Sequence, residues 1–179
     1  MFHGDMNQMP QRKHLRLAGY NYSSPGYYFV TICTRKRVEW FADIHANKVC
    51  LSAAGEIVQS QWNFLPTRFP GLKIDQFVIM PNHVHGIIVL TEHLRYRGPT
   101  KNLKPTLSNV LDAYKGAATY FIRRTPGFEA FGGQISFYDI IVPNALVLQR
   151  IRRYIVRNPE RWISDRFYVN NATKNVNER

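Results

Sequence analysis

The stretch Met80-Pro-Asn-His-Val-His-Gly-Ile-Ile-Val-Leu90 joins a turn signal to an apolar run and places two histidines where the run begins. Side chains alternate across a strand, so His83 and His85 point to one face and Val84 points to the other. Two imidazoles at this spacing can share one metal ion. The pair alone is weak evidence, because six histidines in 179 residues give roughly 0.2 chance pairs. Two half-exposed strand histidines are an equally good interpretation.

A second informative stretch, Tyr154-Ile-Val-Arg-Asn-Pro159, lies near the end of the chain. It places a tyrosine hydroxyl and the amide of Asn158 one helical turn apart. A metal ion together with a tyrosine nucleophile suggests an enzyme that cuts a phosphodiester and holds the cut end covalently.

The tyrosine falls at the border between an apolar and a cationic strip of the last predicted helix. At about 100° per residue, Tyr154 and Asn158 lie along one edge of an apolar stripe. The stripe comprises Val147, Leu148, Ile151 and Ile155, and just outside its edge lie Arg150, Arg153 and Arg157. Guanidinium groups there can bind phosphate bidentately and favour a phenolate. A packed tyrosine beside a solvated basic face explains the same pattern equally well.

The charge balance favours a polyanionic partner. The chain has 24 Lys and Arg against 12 Asp and Glu, a formal charge of +12, with a pI near 10.0. Nucleic acid is the leading candidate, and a basic protein that binds none is the alternative. On the middle predicted helix, Lys115, Arg123 and Arg124 are expected to contact backbone phosphates.

The cysteine content and hydropathy indicate the compartment. Cys33 and Cys50 are the only cysteines, and they form neither a zinc pattern nor a disulfide framework, which is typical of a reducing environment. No apolar run approaches the ~20 residues needed to cross a bilayer. The polar, basic N-terminus has no signal-peptide core. We therefore expect a cytoplasmic protein with no membrane partner.

The order of predicted elements indicates an α+β fold. A basic arm is expected over 1–25, one domain over 26–165 and a polar tail over 166–179. Strands are predicted over 27–34, 72–80, 83–90 and 134–142, and helices over 52–65, 106–124 and 145–157. This is the split βαβ order of a ferredoxin-like antiparallel sheet with helices on one face, plus a C-terminal helix that carries the nucleophile.

Three blocks of the chain together resemble a known family, the HUH single-tyrosine transposases, and most closely their REP-associated branch. Their order and spacing match over roughly residues 15–165, and the combination is far more specific than either motif alone. The blocks are Arg16-Leu-Ala-Gly-Tyr20 through Gly26-Tyr-Tyr-Phe-Val-Thr31; Met80-Pro-Asn-His-Val-His85; and Phe137-Tyr-Asp-Ile-Ile141 with Ile151-Arg-Arg-Tyr-Ile-Val-Arg-Asn-Pro159 and Trp162.

The resemblance implies a nuclease fold that cleaves single-stranded DNA. It implies a Mg²⁺ or Mn²⁺ ion held by His83 and His85, with Asn158 as the third ligand from the helix. It implies that Tyr154 is the nucleophile, which leaves a 5′-phosphotyrosine link and a free 3′-hydroxyl. REP-type members recognise a hairpin beside a short unpaired tag, so hairpin DNA is the expected partner.

This chain departs from the family pattern at two positions. It has Ile140 where the family often has a histidine, and Val142 near a family arginine. Two other functions stay open: a non-cleaving DNA-binding protein with the same fold, and a metal-dependent hydrolase that uses water. The chain could act as a monomer or as a homodimer that exchanges its last helix.

Overall fold

The computed structural model describes residues 17–98, 104–134 and 136–169. The strands are β1 (Gly26–Cys33), β2 (Ala42–His45), β3 (Lys48–Leu51), β4 (Leu72–Met80), β5 (His83–Leu90) and β6 (Tyr138–Ile141). The α-helices are α1 (Ala53–Asn63), α2 (Leu65–Arg68), α3 (Leu107–Ile122) and α4 (Ala145–Arg157). Short 3₁₀ turns span Arg35–Arg37 and Pro159–Ser164.

Four strands form one sheet in the order β4-β5-β1-β6, and every neighbouring pair is antiparallel. With α1 between β1 and β4, and α3 between β5 and β6, this is the ferredoxin-like arrangement. The predicted fold class is confirmed. Strands β2 and β3 form a separate two-stranded hairpin, and neither strand is among those predicted from the sequence.

The two faces of the sheet carry different helices. Val30, Val84 and Ile88 belong to the larger core, which α1 and α3 cover. Phe29 and Ile87 point to the other face and pack against α4. The sheet therefore separates the two helix layers, and β5 contributes residues alternately to each.

The helices begin within one residue of their predicted positions. The side chain of Ser52 accepts a hydrogen bond from the Gly55 amide, and that of Asn144 accepts one from the Val147 amide. Trp62 of α1 and Ile122 of α3 are buried in the core. Phe64 and Phe121, at the ends of the same helices, are about half exposed.

Residues at both edges of the predicted domain pack against it. Of the expected arm, residues 17–25 are described, and Tyr22 lies in the core, where its carbonyl accepts the amide of Leu107. Of the expected tail, residues 166–169 are described, and Phe167 is buried. The rest of the expected arm and tail lies outside the described residues. None of the helices within the described ranges is long and apolar enough to cross a membrane.

Candidate metal centre and nucleophile

The two histidines of β5 lie side by side on the face that α4 covers. His83 and His85 pair with Cys33 and Thr31 of β1, respectively. The ring centroids of the two histidines are 4.4 Å apart. Both side chains are buried, with at most 1% of their surface exposed. The structure therefore brings the pair together as expected, in a buried site rather than at an exposed strand end.

Hydrogen bonds from the preceding turn fix the orientation of His83. The side-chain amide of Asn82 donates to the carbonyls of Phe167 and Arg37, at 2.8 and 3.2 Å. Its oxygen therefore faces Nδ1 of His83, 2.8 Å away, and accepts the proton on that nitrogen. As a result Nε2 of His83 carries a lone pair, and it is buried with no hydrogen-bond partner among the described residues.

His85 links a threonine to the tyrosine of α4. Its Nδ1 lies 2.8 Å from the hydroxyl of Thr31, and its Nε2 lies 3.1 Å from the hydroxyl of Tyr154. The simplest proton arrangement has Nδ1 donating to Thr31 and Nε2 accepting from Tyr154. Thr31 therefore does for His85 what Asn82 does for His83: it holds the ring and directs Nε2 into the site.

Burial sets the protonation of these groups. It lowers the pKa of His85 to about 3, and it lowers that of His83 well below its usual range, helped by neighbouring His85 and Arg37. Both imidazoles are therefore neutral, the form that binds metal. Burial also raises the pKa of Tyr154 to about 12, and Asp165 acts in the same direction. The tyrosine is consequently a phenol at neutral pH until a cation or a phosphate alters its surroundings.

Two oxygen-bearing side chains from the chain after α4, those of Asn158 and Asp165, lie near the histidines. Donor atoms of His83, His85 and Asp165 all lie within 4.8 Å of one another. The amide nitrogen of Asn158 donates to Asp165 at 3.2 Å, while its oxygen is buried with no partner in the described chain. Neutral imidazole nitrogens, an unsatisfied amide oxygen and a carboxylate form a donor set that fits a divalent ion such as Mn²⁺.

Asp165 was not among the predicted site residues. It lies in irregular chain after the last helix, and no spacing relates it to the histidines. One of its carboxylate oxygens accepts the amide of Phe167 at 2.7 Å, while burial raises its pKa. The only sequence signal was an acidic residue seven positions after Asn158, which is too common to be informative.

The segment that follows Asp165 covers the site. The ring of Phe167 lies 4.6 Å from that of His83, and the guanidinium groups of Arg37 and Arg166 each lie 4.6 Å from the centre of the Phe167 ring. Arg37 also donates to the carbonyl of Arg166 at 2.7 Å. Lys36 and Arg37 both adopt left-handed backbone angles, with φ of 55° and 56°. This unusual turn directs Arg37 onto the segment, so the site is closed as it stands.

Comparisons with known proteins identify one relative and one neighbour of the same fold. No family model matches the chain. The chain is 32% identical over 170 residues to an uncharacterized protein of Haemophilus influenzae, across 88% of this chain and 93% of that protein. These two proteins belong to one family. Among solved structures, a REP-associated tyrosine transposase bound to a REP hairpin has a TM-score of 0.55 at 17% identity, across 86% of this chain and 74% of that one.

This chain has the fold of the REP-associated tyrosine transposases. The resemblance that the three sequence blocks predicted is thereby confirmed at the level of the fold. The roles of individual residues in this fold stay predictions.

Within this transposase fold, the predicted DNA contacts fall into two groups on opposite faces of the sheet. Arg150, Arg153 and Arg157 are exposed on α4, the helix that carries Tyr154. Lys115, Arg123 and Arg124 lie on or just after α3, on the other side of the sheet. Only the first group adjoins the histidine face, and the second group lies across the sheet from it.

Asp139, Tyr114 and Tyr138 are further polar residues near the sheet, and they differ in the face that they occupy. Asp139 pairs with Val30 and so lies on the face opposite the histidines, which excludes it from this metal cluster. Tyr114 is buried on that same face, where its hydroxyl donates to the Val58 carbonyl. Tyr138 pairs with Thr31 and is 45% exposed on the histidine face, so it is a better rival nucleophile than Tyr114.

The two departures from the family pattern have a packing role. Ile140 and Val142 both pack against the apolar cluster formed by Phe29, Ile87, Leu148 and Ile155. Side chains at these positions hold α4 against the sheet. The chain therefore has apolar contacts beside α4 where the family pattern has polar groups.

Proposed function

We propose that this chain is a metal-dependent endonuclease and strand transferase of single-stranded DNA, and that Tyr154 is its nucleophile. The observation that carries the proposal is the 3.1 Å distance between the Tyr154 hydroxyl and Nε2 of His85, within one chain. A buried tyrosine hydroxyl against a pair of neutral, oriented imidazoles is the arrangement that such chemistry needs. Because both side chains come from one chain, we propose that a monomer carries out the reaction.

His83, His85 and Asn158 would hold the metal ion, with the carboxylate of Asp165 beside them. A bound Mg²⁺ or Mn²⁺ would withdraw charge from the scissile phosphate and align it. The support is that Nε2 of His83 and the amide oxygen of Asn158 are both buried with no hydrogen-bond partner in the described chain. Unpaired buried polar atoms are costly, and a shared cation would satisfy both.

Tyr154 would attack the phosphorus in line with the departing 3′-oxygen. The bond from the phenolic oxygen to phosphorus forms, the bond from phosphorus to the 3′-oxygen breaks, and the phenolic proton ends on the 3′-hydroxyl. The 5′-phosphotyrosine keeps the energy of the broken bond, so a 3′-hydroxyl from another strand can reverse the step and join DNA without ATP.

The expected substrate is an unpaired strand beside a hairpin. Arg150, Arg153 and Arg157 are exposed along the helix that carries the nucleophile, where they would contact phosphates. The +12 charge supplies the general attraction to DNA. A hairpin is proposed because the solved protein of the same fold was bound to a REP hairpin.

The test is a denaturing gel of the protein incubated with Mn²⁺ and end-labelled hairpin DNA carrying an unpaired flank. Wild type should give a slow protein–DNA band that proteinase removes, and Tyr154→Phe should give none. Tyr138→Phe is the matched control on the same face and should keep the band. Cleavage without any band would favour the water-dependent hydrolase, and hairpin binding with neither band nor cleavage would favour the non-cleaving DNA-binding protein.

A further inference from the structure

A cavity of about 500 Å³ lies on the side of the sheet away from the histidines. Its floor is formed by Ile32 and Val84, which are paired across β1 and β5, and by Val58 of α1. Val84 sits between His83 and His85 but points the opposite way. The cavity is therefore separate from the metal centre, although only the thickness of the sheet divides the two. Its volume falls in the range of small-molecule sites.

The mouth of the cavity is cationic. Among the described residues that line it, Lys115, Arg123 and Arg124 are positive, and Asp112 is the one negative side chain. The Lys115 side chain is only 16% exposed, and its ammonium lies 3.6 Å from a carboxylate oxygen of Asp112, which is itself 64% exposed. Three cationic side chains against one carboxylate leave this mouth with a positive excess, which favours an anionic ligand.

Aromatic groups stand beside these charges. The guanidinium of Arg124 lies 3.5 Å from the centre of the Tyr120 ring, which is 52% exposed. Arg123 donates from Nε to the carbonyl of Phe131 at 2.9 Å, which ties the loop wall to α3. A flat apolar group entering here would meet aromatic and aliphatic walls, while an attached anion would meet the cations at the mouth.

Gly116 lies at the exposed rim of the cavity, on the side formed by α3. A Cβ built on Gly116 meets no atom within 4 Å in the described chain, and the same is true of Gly133 in the facing wall. By contrast, a Cβ on Gly86 would lie 2.4 Å from the Trp62 ring. A larger side chain can therefore be placed at the rim of the cavity through Gly116 but not beneath the sheet through Gly86.

From these features we infer that the cavity binds one nucleotide unit. The nucleobase enters between the aliphatic floor and the aromatic walls, and the phosphate is held by Lys115, Arg123 and Arg124. The same chemistry could come from a free nucleotide or from an unpaired nucleotide of DNA. This inference rests on the proposed function, because a DNA strand is the natural source of such a nucleotide.

The test is a titration of the ¹⁵N-labelled full-length protein, without metal, followed by amide chemical shifts. The probes are the four deoxynucleoside monophosphates, thymidine, inorganic phosphate and a four-nucleotide single strand. Nucleotides should shift the amides of Gly116, Thr119 and Gly133 in a saturable way, and phosphate or thymidine alone should bind roughly tenfold more weakly, since each lacks half of the contacts. If the oligonucleotide binds more tightly than any monophosphate, the source is DNA; if a monophosphate binds at least as tightly, it is a free nucleotide.

Two substitutions make the test specific. Gly116→Phe should cover part of the mouth of the cavity and reduce binding by about tenfold or more, with a melting temperature no lower than that of wild type. Gly116→Ala adds only one methyl group and separates the loss of glycine from the loss of space. Lys115→Gln should weaken binding by several-fold, whereas Lys48→Gln, which removes an equal charge from the β2–β3 hairpin, should not.

The inference is overturned if no probe shifts the cavity amides, if inorganic phosphate binds as tightly as the nucleotides, or if folded Gly116→Phe binds like wild type. The covalent adduct is measured separately. Adduct formation without cavity shifts overturns this inference alone, and cavity shifts in a protein that forms no adduct overturn the proposed function alone.

Discussion

The hydroxyl of Tyr154 lies 3.1 Å from Nε2 of His85, the same nitrogen that the proposed metal ion requires. A nitrogen lone pair cannot accept a proton and bind a cation at once. The tyrosine therefore occupies a ligand position that it has to release when the ion binds. The contact also places the proposed nucleophile next to the point where the scissile phosphate would be aligned.

A first prediction follows for Tyr154→Phe. The ring still packs against Phe29, so the fold should change little. Nε2 of His85 loses a competing hydrogen bond, so the Mn²⁺ dissociation constant, measured by calorimetry, should stay equal or fall by a few-fold, while the covalent adduct disappears. Loss of Mn²⁺ binding in this variant would mean that Tyr154 serves as a ligand and not as the nucleophile.

The ligand assignment predicts a graded series. His83→Ala and His85→Ala should abolish cleavage and metal binding yet leave hairpin affinity within a few-fold of wild type, because that affinity is mostly phosphate contact. Asn158→Ala should reduce cleavage less, since an amide is the weaker ligand. Asn82→Ala should weaken Mn²⁺ binding by roughly 10–100-fold through loss of the orientation of His83. If either histidine variant cuts DNA at the normal rate, the assignment of His83 and His85 as metal ligands is wrong.

The removal of metal gives an independent check on the same site. Wild-type protein treated with EDTA should bind hairpin DNA but form no adduct, and added Mn²⁺ should restore the adduct. Quenching of Trp162 fluorescence by Mn²⁺ should report binding, because its ring lies 6.0 Å from that of His83. Quenching that persists in the His83→Ala, His85→Ala double variant would place the ion elsewhere.

Much of the fold could be predicted because the long elements carry strong local patterns. The apolar run of β5 and the apolar stripe of α4 fix which side chains point inward, and hence that His83, His85 and Tyr154 face one another. The β2–β3 hairpin was missed because its strands have four residues each. Its turn uses Ala46 and Asn47 at positive φ instead of a glycine pair.

The parts of the site that could not be predicted lie in irregular chain. Asp165 and Phe167 reach the histidines only because Asn82 and Arg37 hold the backbone of the last segment. Those contacts join residues 85 and 129 positions apart. No local periodicity encodes such pairings.

A further prediction concerns the attachment of α4. Arg152 makes a bidentate pair with Asp75 of β4, with distances of 3.0 and 2.5 Å, and this pair lies two residues from Tyr154. Asp75 stands at an irregularity in the β4–β5 register, between Ile74 and Phe77. Asp75→Asn and Arg152→Gln should each lower the rate of adduct formation at saturating DNA more than they alter DNA affinity. In a double-mutant cycle on unfolding, the coupling should be about 0.2–1 kcal/mol.

The pH dependence of this pair has a definite sign. The hydrogen bonds from Arg152 lower the pKa of Asp75 in the folded protein. The wild-type stability advantage over Asp75→Asn should therefore be fully present above the unfolded pKa of about 3.9. It should disappear as the pH falls through the lower folded value. Denaturant melts at neutral pH and in acid measure it, and an advantage that grows in acid would contradict the pairing.

The last prediction concerns the closed segment over the metal centre. Phe167 covers His83, and Arg37 holds the segment through its bond to the Arg166 carbonyl. Arg37→Gln removes that bond at the surface, and Phe167→Ala removes the cover itself, at a cost of about 3–5 kcal/mol of stability. Both should raise the initial rate of adduct formation at limiting Mn²⁺ by several-fold, because the ion and the DNA strand have to reach side chains that are now at most 1% exposed.

Lys36→Gln and Ile163→Ala are the matched controls, since Lys36 is exposed beside Arg37 and Ile163 is 80% exposed just before the segment. Circular dichroism below the melting temperature should verify that each variant is folded. Arg37→Gln makes the decisive comparison, because it leaves the packing around His83 intact. Wild-type rates in folded Arg37→Gln and Phe167→Ala would mean that the segment does not limit access, and that closure of the site has no part in the reaction.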